Sequence, residues 1–136
     1  TGLYNLDGKG AYPTDNRGVF ELTERLSDMG KFRAPSLRNV ELTAPYNHDG
    51  SVATLEEVVA NYAAGGRVIT EGALAGDGRS NPHLDDLIVK IDLSSAEQAD
   101  IVNFLKALTD DTIATNPRFA NPFSTGTDQP SVTGTP

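Results

Sequence analysis

His48 sits in the one stretch of this chain whose residue types could do chemistry together. Residues 31–50 read Lys31-Phe32-Arg33-Ala34-Pro35-Ser36-Leu37-Arg38-Asn39-Val40-Glu41-Leu42-Thr43-Ala44-Pro45-Tyr46-Asn47-His48-Asp49-Gly50. Pro35 and Pro45 push the residues before them toward extended backbone, and Asp49-Gly50 is a turn pair. The run therefore reads as a shaped, non-repeating loop of the kind that walls a ligand. Within it His48 can be a redox or proton-transfer group, or its imidazole can hold the loop by a hydrogen bond; the residue alone leaves both readings open. His83 lies far along the chain, with no cysteine and no helical partner, which argues against a zinc site built from these residues. Asp7, Asp15, Asp77 and Asp85 lack the spacing of a calcium-binding helix-loop-helix and read as turn carboxylates. The pairs Gly8-x-Gly10 and Gly76-x-Gly78 lack the flanking strand and helix of a phosphate loop and read as turns.

Composition narrows the chemistry further. A length of 136 residues fits one domain with a modest core, since 38% of the residues are hydrophobic. The net charge of -8 disfavours nucleic acid and anionic membrane surfaces, both of which require a basic face. No apolar run approaches the roughly 18 residues of a spanning helix, and Thr1-Gly2-Leu3-Tyr4 has neither the charged start nor the apolar stretch of a signal peptide. There is no cysteine, which excludes disulfides, thiolate ligands and a Cys-x-x-Cys-His haem attachment sequence within these residues.

Two helices must position whatever the loop holds. Thr54-Leu55-Glu56-Glu57 has the form of a capping box, Leu55, Val58, Val59 and Tyr62 recur at helical spacing, and Gly65-Gly66 supplies a stop. The pattern predicts a helix over 54–64 with Tyr62 on its buried stripe. Ser94-Ser95-Ala96-Glu97 repeats the device, and Ile101, Phe104, Leu105 and Leu108 form the apolar face of a helix reaching about Leu108. Residues 1–18 and 67–90 are rich in turn signals and read as loop, with one turn expected near 84–88. After Asp110 the chain turns rich in Asn, Pro, Ser, Thr and Gly, so 111–136 is expected to be an extended surface tail beside a domain over 1–110. So much loop is costly to order without something central to pack against, an argument for a cofactor that does not identify one.

The loop, the 54–64 helix and the closing run Asp100-Ile101-Val102-Asn103-Phe104-Leu105-Lys106-Ala107-Leu108 together resemble the C-terminal haem domain of the bacterial di-haem cytochrome c peroxidases and their MauG-like relatives. The resemblance begins at Gly2-Leu3-Tyr4-Asn5 and covers most of the chain. It implies a mostly α, cytochrome-c-like haem domain with long loops and few or no strands, holding haem c. The missing attachment sequence is the largest departure from the family, so the haem would be tethered by residues outside this chain, expected just upstream.

The resemblance also assigns roles. It places the axial haem ligand fourteen residues after the loop histidine, which here runs from His48 to Tyr62. That position is commonly methionine in the peroxidases and tyrosine in the MauG-like branch; a phenolate stabilises oxidised iron, where a thioether favours the ferrous state. From helix pattern alone Tyr62 reads as a core residue with its hydroxyl at the surface. Arg38 and Arg33 would meet haem propionates with paired hydrogen bonds, whereas Lys31 reads as a solvated charge. Pro35, Leu37, Tyr46 and His48 complete the haem-binding set, and Tyr62 and His48 the catalytic one. Met29 reads as packing. Thr43 and Pro45 resemble the place where the family binds calcium through backbone carbonyls. The implied protein is a periplasmic peroxidase-like oxidoreductase of MauG type. Its partners would be an N-terminal portion carrying the other haem, and a protein electron donor or protein substrate. A conventional peroxidase drawing electrons from a small redox protein is the second reading, and a haem-free binding module the third.

Overall fold

The structure is a computed structural model that describes residues 1–113 and 115–120. Two helices carry most of its regular backbone: α2, Leu55–Ala63, and α3, Ser95–Lys106, preceded by a single turn, α1, Phe20–Thr23. The Thr54 hydroxyl accepts from Glu57 N (3.2 Å), while the Glu57 carboxylate reaches one residue further back than a capping box requires, to Ala53 N (3.0 Å). At α3 the box is complete: Ser94 Oγ accepts from Glu97 N (3.3 Å) and Glu97 Oε2 from Ser94 N (2.8 Å). Both starts agree with the sequence, and the fold is mostly helix and loop.

Which faces are buried differs from the expectation. α2 buries Leu55, Val59 and Ala63, and α3 buries Val102. These close on one another, with Val40, Tyr46 and Leu105 packed around them. Tyr62 stands at the edge of the α2 stripe and is 54% exposed, so the expected burial does not occur. On α3 the contact with α2 selects Val102 and Leu105, leaving Ile101 and Phe104 exposed among the described residues.

A second core lies apart from α2 and α3. Leu3, Tyr4, Tyr12 and Met29 are buried together, flanked by Leu6, Phe20, Phe32 and Ile69; Met29 is packing, as its position suggested. Segment 67–90 is not wholly loop. It contains a two-residue antiparallel ladder, β1 (Val68–Ile69) against β2 (Gly76–Asp77), so Gly76 lies in a strand rather than a turn. Gly78–Ser80 follows as a 3₁₀ turn capped by Asp77. The N-terminal segment docks on this hairpin: Arg67 N donates to Gly2 O (2.8 Å) and Asn5 Nδ2 to Asp77 O (3.1 Å). Gly78 is where the approach is tightest, since a Cβ there would lie 2.1 Å from Gly2 O. Asp7 and Asp85 are turn carboxylates, accepting from Lys9 N and Leu87 N. Of the extended tail expected over 111–136, the part within the described residues includes a 3₁₀ turn, Pro117–Phe119, and 121–136 lies outside them; among those described no helix is long and apolar enough to cross a membrane.

Candidate functional site

Loop 31–50 runs from the N-terminal core to the α2–α3 core, anchored at each end. Asn39 carries one anchor: it is buried, adopts a left-handed backbone (φ 58°), donates its N–H to Leu108 O (3.2 Å) and accepts from Asp110 N on Oδ1 (2.6 Å). Asn tolerates that conformation better than most residues, the only sequence signal for the tie. A 3₁₀ turn, Val40–Thr43, follows, and then the cis Ala44-Pro45 bond. Tyr46 pairs with Val52 (N to O 2.6 and 3.3 Å), with Asn47 at φ 68° inside the reversal. His48 and Asp49 are thereby held on a narrow tip.

The tip is polar and specific. The His48 ring lies flat on Phe32, centroids 3.6 Å apart and planes 15° from parallel. Burial of that face lowers its pKa, partly offset by the charge of Asp49. Asp49 Oδ2 accepts the Tyr4 hydroxyl (2.5 Å), Oδ1 accepts Ser51 N (3.0 Å), and Arg67 Nη1 donates to Ser51 Oγ (2.8 Å). Burial acts to raise the Asp49 pKa, yet the hydrogen bonds from Tyr4 and Ser51 hold it below the ordinary carboxylate value. Reading Asp49-Gly50 only as a turn missed this network, because its partners Tyr4 and Arg67 are remote in sequence.

The structure brings some expected residues together and not others. His48 joins Asp49, Phe32 and Tyr4, and Tyr46 joins the α2–α3 core. Arg33, Pro35, Leu37 and Arg38 are exposed. Among the described residues no hydrogen bond or ion pair engages the side chains of Arg33, Arg38 or Tyr62, whereas Lys31 pairs with Asp28 (3.3 Å). Two open concavities occur among the described residues. One, about 460 Å³, lies between Ala60, Ala63 and segment 90–94; the other, about 290 Å³, is walled by Tyr4, Ser51, Arg67, Ile69 and Leu74. Neither includes Tyr62, His48 or Arg38.

The donor set fits the haem that the resemblance implies. Among the described residues, a phenol with no hydrogen bond, two guanidiniums in no ion pair, and Leu37 and Leu42 left 49% and 54% exposed are groups that an apolar ring bearing propionates would cover. Thioether attachment has no cysteine to use here. No hydrogen bond among the described residues engages the Thr43 or Pro45 carbonyl, leaving both available to a hard cation. No group of three or more His, Asp or Glu side chains that could hold a metal is found among the described residues.

No family model matches the chain. It is 39% identical over 94 residues to cytochrome-c peroxidase IdrP1 of Denitromonas iodatirespirans, covering 69% of this chain and 22% of that protein. It is 32% identical over 77 residues to the methylamine utilization protein MauG of Methylorubrum extorquens, covering 57% of this chain and 18% of that one. Among solved structures it is similar to a MauG-like protein associated with microbial copper homeostasis, with a TM-score of 0.88 and 60% identity over 91% of this chain and 35% of that one. The chain thus spans about a fifth of the length of the curated relatives it matches.

Proposed function

The chain belongs to the bacterial di-haem cytochrome c peroxidase and MauG-like family, and from that premise we propose that it forms the C-terminal haem domain of a MauG-type enzyme oxidising a protein substrate. The rest of that enzyme would carry the other haem and the attachment sequence for this one. The haem, when bound, supplies transfer of oxidising equivalents drawn from peroxide. Tyr62 would hold the haem iron as a hard anionic donor. Arg38 and Arg33 would bind the propionates, and Pro35, Leu37 and Tyr46 would pack against the macrocycle. His48, stacked on Phe32 and with its pKa lowered by burial, holds or moves a proton at the loop tip. The carbonyls of Thr43 and Pro45 would be this chain's contribution to a calcium site. Periplasmic placement follows from the same reading.

The observation that carries it is Tyr62 itself: a large phenol on the margin of a buried stripe, 54% exposed, its hydroxyl bound to nothing among the described residues. The test uses the intact, haem-loaded protein. Tyr62→Met exchanges an anionic donor for a neutral soft one and is expected to raise the reduction potential of that haem; Tyr62→Phe is expected to open a coordination position. Both should lower peroxide-driven oxidation of a protein substrate more than they lower haem content. Wild-type potentials, spectra and turnover in both variants would make Tyr62 a packing residue.

A second reading is favoured by one finding: the relative named a cytochrome-c peroxidase matches 69% of this chain, the one named MauG 57%. Under it the enzyme reduces hydrogen peroxide with electrons from a small redox protein. Steady-state peroxide consumption supported by such a reduced donor, without oxidation of any protein substrate, would select it.

A further inference from the structure

Tyr4 is the most buried tyrosine among the described residues, 3% exposed, and the function proposed above leaves it unused. Its hydroxyl has a base built against it. The 2.5 Å bond to Asp49 Oδ2 is in the range of a hydroxyl donating to an ionised carboxylate, and the other Asp49 oxygen is fixed by Ser51 N at 3.0 Å. A second phenol adjoins: Tyr12, 5% exposed, meets Tyr4 edge-on with centroids 5.5 Å apart, and its hydroxyl contacts Thr1 Oγ1 at 2.8 Å and Leu3 N at 3.3 Å.

We propose that Tyr4 is a redox-active tyrosine whose oxidation is coupled to proton transfer to Asp49, with Tyr12 as the adjoining phenol. Removing an electron from a phenol makes its hydroxyl a strong acid, and at a buried site the proton must leave to a group already in hydrogen-bond reach. Asp49 is that group. Prior loss of the proton is disfavoured, because burial, and then the neighbouring carboxylate, raise the Tyr4 pKa. Asp49 meanwhile stays ionised and able to accept, since its hydrogen bonds outweigh burial.

The step balances. The Tyr4 O–H bond breaks, its proton bonds to Asp49 Oδ2, and one electron leaves the ring to a one-electron oxidant, giving a neutral tyrosyl radical and a neutral carboxylic acid. An electron from a donor and return of the proton restore both. Only the identity of the natural oxidant, an oxidising equivalent held at haem, rests on the function proposed above.

The test separates the two. In the haem-loaded full-length protein, a ruthenium polypyridyl sensitiser is attached at Lys9→Cys, the only cysteine this chain would then contain, and oxidised by flash-quench. Transient absorption and electron paramagnetic resonance should show a tyrosyl radical that Tyr4→Phe removes. Asp49→Asn, which keeps the size and an acceptor oxygen, should slow its formation by about 100-fold and change its solvent deuterium isotope effect. A wild-type radical yield in Tyr4→Phe, a wild-type rate in Asp49→Asn, or no tyrosyl signal from the unsubstituted Tyr4 would overturn the inference. Hydrogen peroxide is then supplied in place of light. A Tyr4 radical by flash but none by peroxide would leave Tyr4 redox-active and overturn a haem-held oxidising equivalent as its oxidant; peroxide consumption in the same samples reports on the proposed function separately.

Discussion

The flat contact of His48 with Phe32, at 3.6 Å between centroids, has a consequence in acid. Burial lowers the folded pKa of His48 below its ordinary value, so on acidification the unfolded chain binds the proton first. Its contribution to stability is therefore full above the unfolded pKa of about 6.5 and is lost as pH falls through that value toward the folded one. In His48→Gln that group is gone. The fall in Tm between about pH 7 and about pH 5 is expected to be smaller than in the wild type, although the variant starts lower for want of the ring stack. Thermal denaturation of the intact protein across that range checks it; an unchanged slope would mean that the imidazole titrates alike folded and unfolded. The sequence showed His48 as chemically notable but not why it sits still. Its holders, Phe32 in ring contact and Tyr4 on the next residue, are sixteen and more positions away, and nothing in local pattern announces a ring stack.

Between residue and fold, the two helices show which signals are local. Ser94 and Glu97 satisfy each other's backbone donors within one turn, so the start of α3 was readable from four letters. Ser94→Ala is expected to cost about 1 kcal/mol, read as a lower urea midpoint at unchanged slope in the intact protein. Thr54→Ala should cost a similar amount or less, because Glu57 there turns to Ala53 instead. The buried faces were not readable to the same degree. Ile101, Val102, Phe104, Leu105 and Leu108 make α3 apolar over much of its circumference, and periodicity cannot say which part a neighbour will cover. Leu55 and Val59 make the choice, selecting Val102 and Leu105. Tyr62 went astray for the same reason, being one position off the stripe that α3 closes. The β1–β2 ladder escaped notice because two residues a side are too short to show alternation.

At the scale of the whole molecule the described residues form two small cores, and buried amides hold the irregular one together. Asn81 is 6% exposed; its Nδ2 donates to Tyr4 O at 2.8 Å and its Oδ1 accepts from His83 N at 2.7 Å. Asn5, 4% exposed, does the matching work from the other side, donating to Asp77 O and accepting from Gly10 N. Through these two residues the N-terminal segment, which has no helix or strand to satisfy its backbone, finds its partners in 77–83. Asn81→Ala would leave the buried Tyr4 carbonyl and the partly buried His83 N–H without these partners, at an expected cost of about 2–3 kcal/mol. Asp85→Asn supplies the contrast: its carboxylate accepts from Leu87 N on an exposed turn, and the change should fall within about 0.5 kcal/mol. Urea denaturation of both variants in the intact protein measures the difference. The Tyr4–Asp49 bond adds a local readout, because Asn81 fixes the Tyr4 backbone from which that phenol projects. Asn81→Ala should therefore perturb the Tyr4 phenol signal more than that of Tyr62, which lies on α2 and shares no hydrogen bond with this network. Equal effects of Asn81→Ala and Asp85→Asn on stability would mean that the N-terminal segment is held by apolar contact alone.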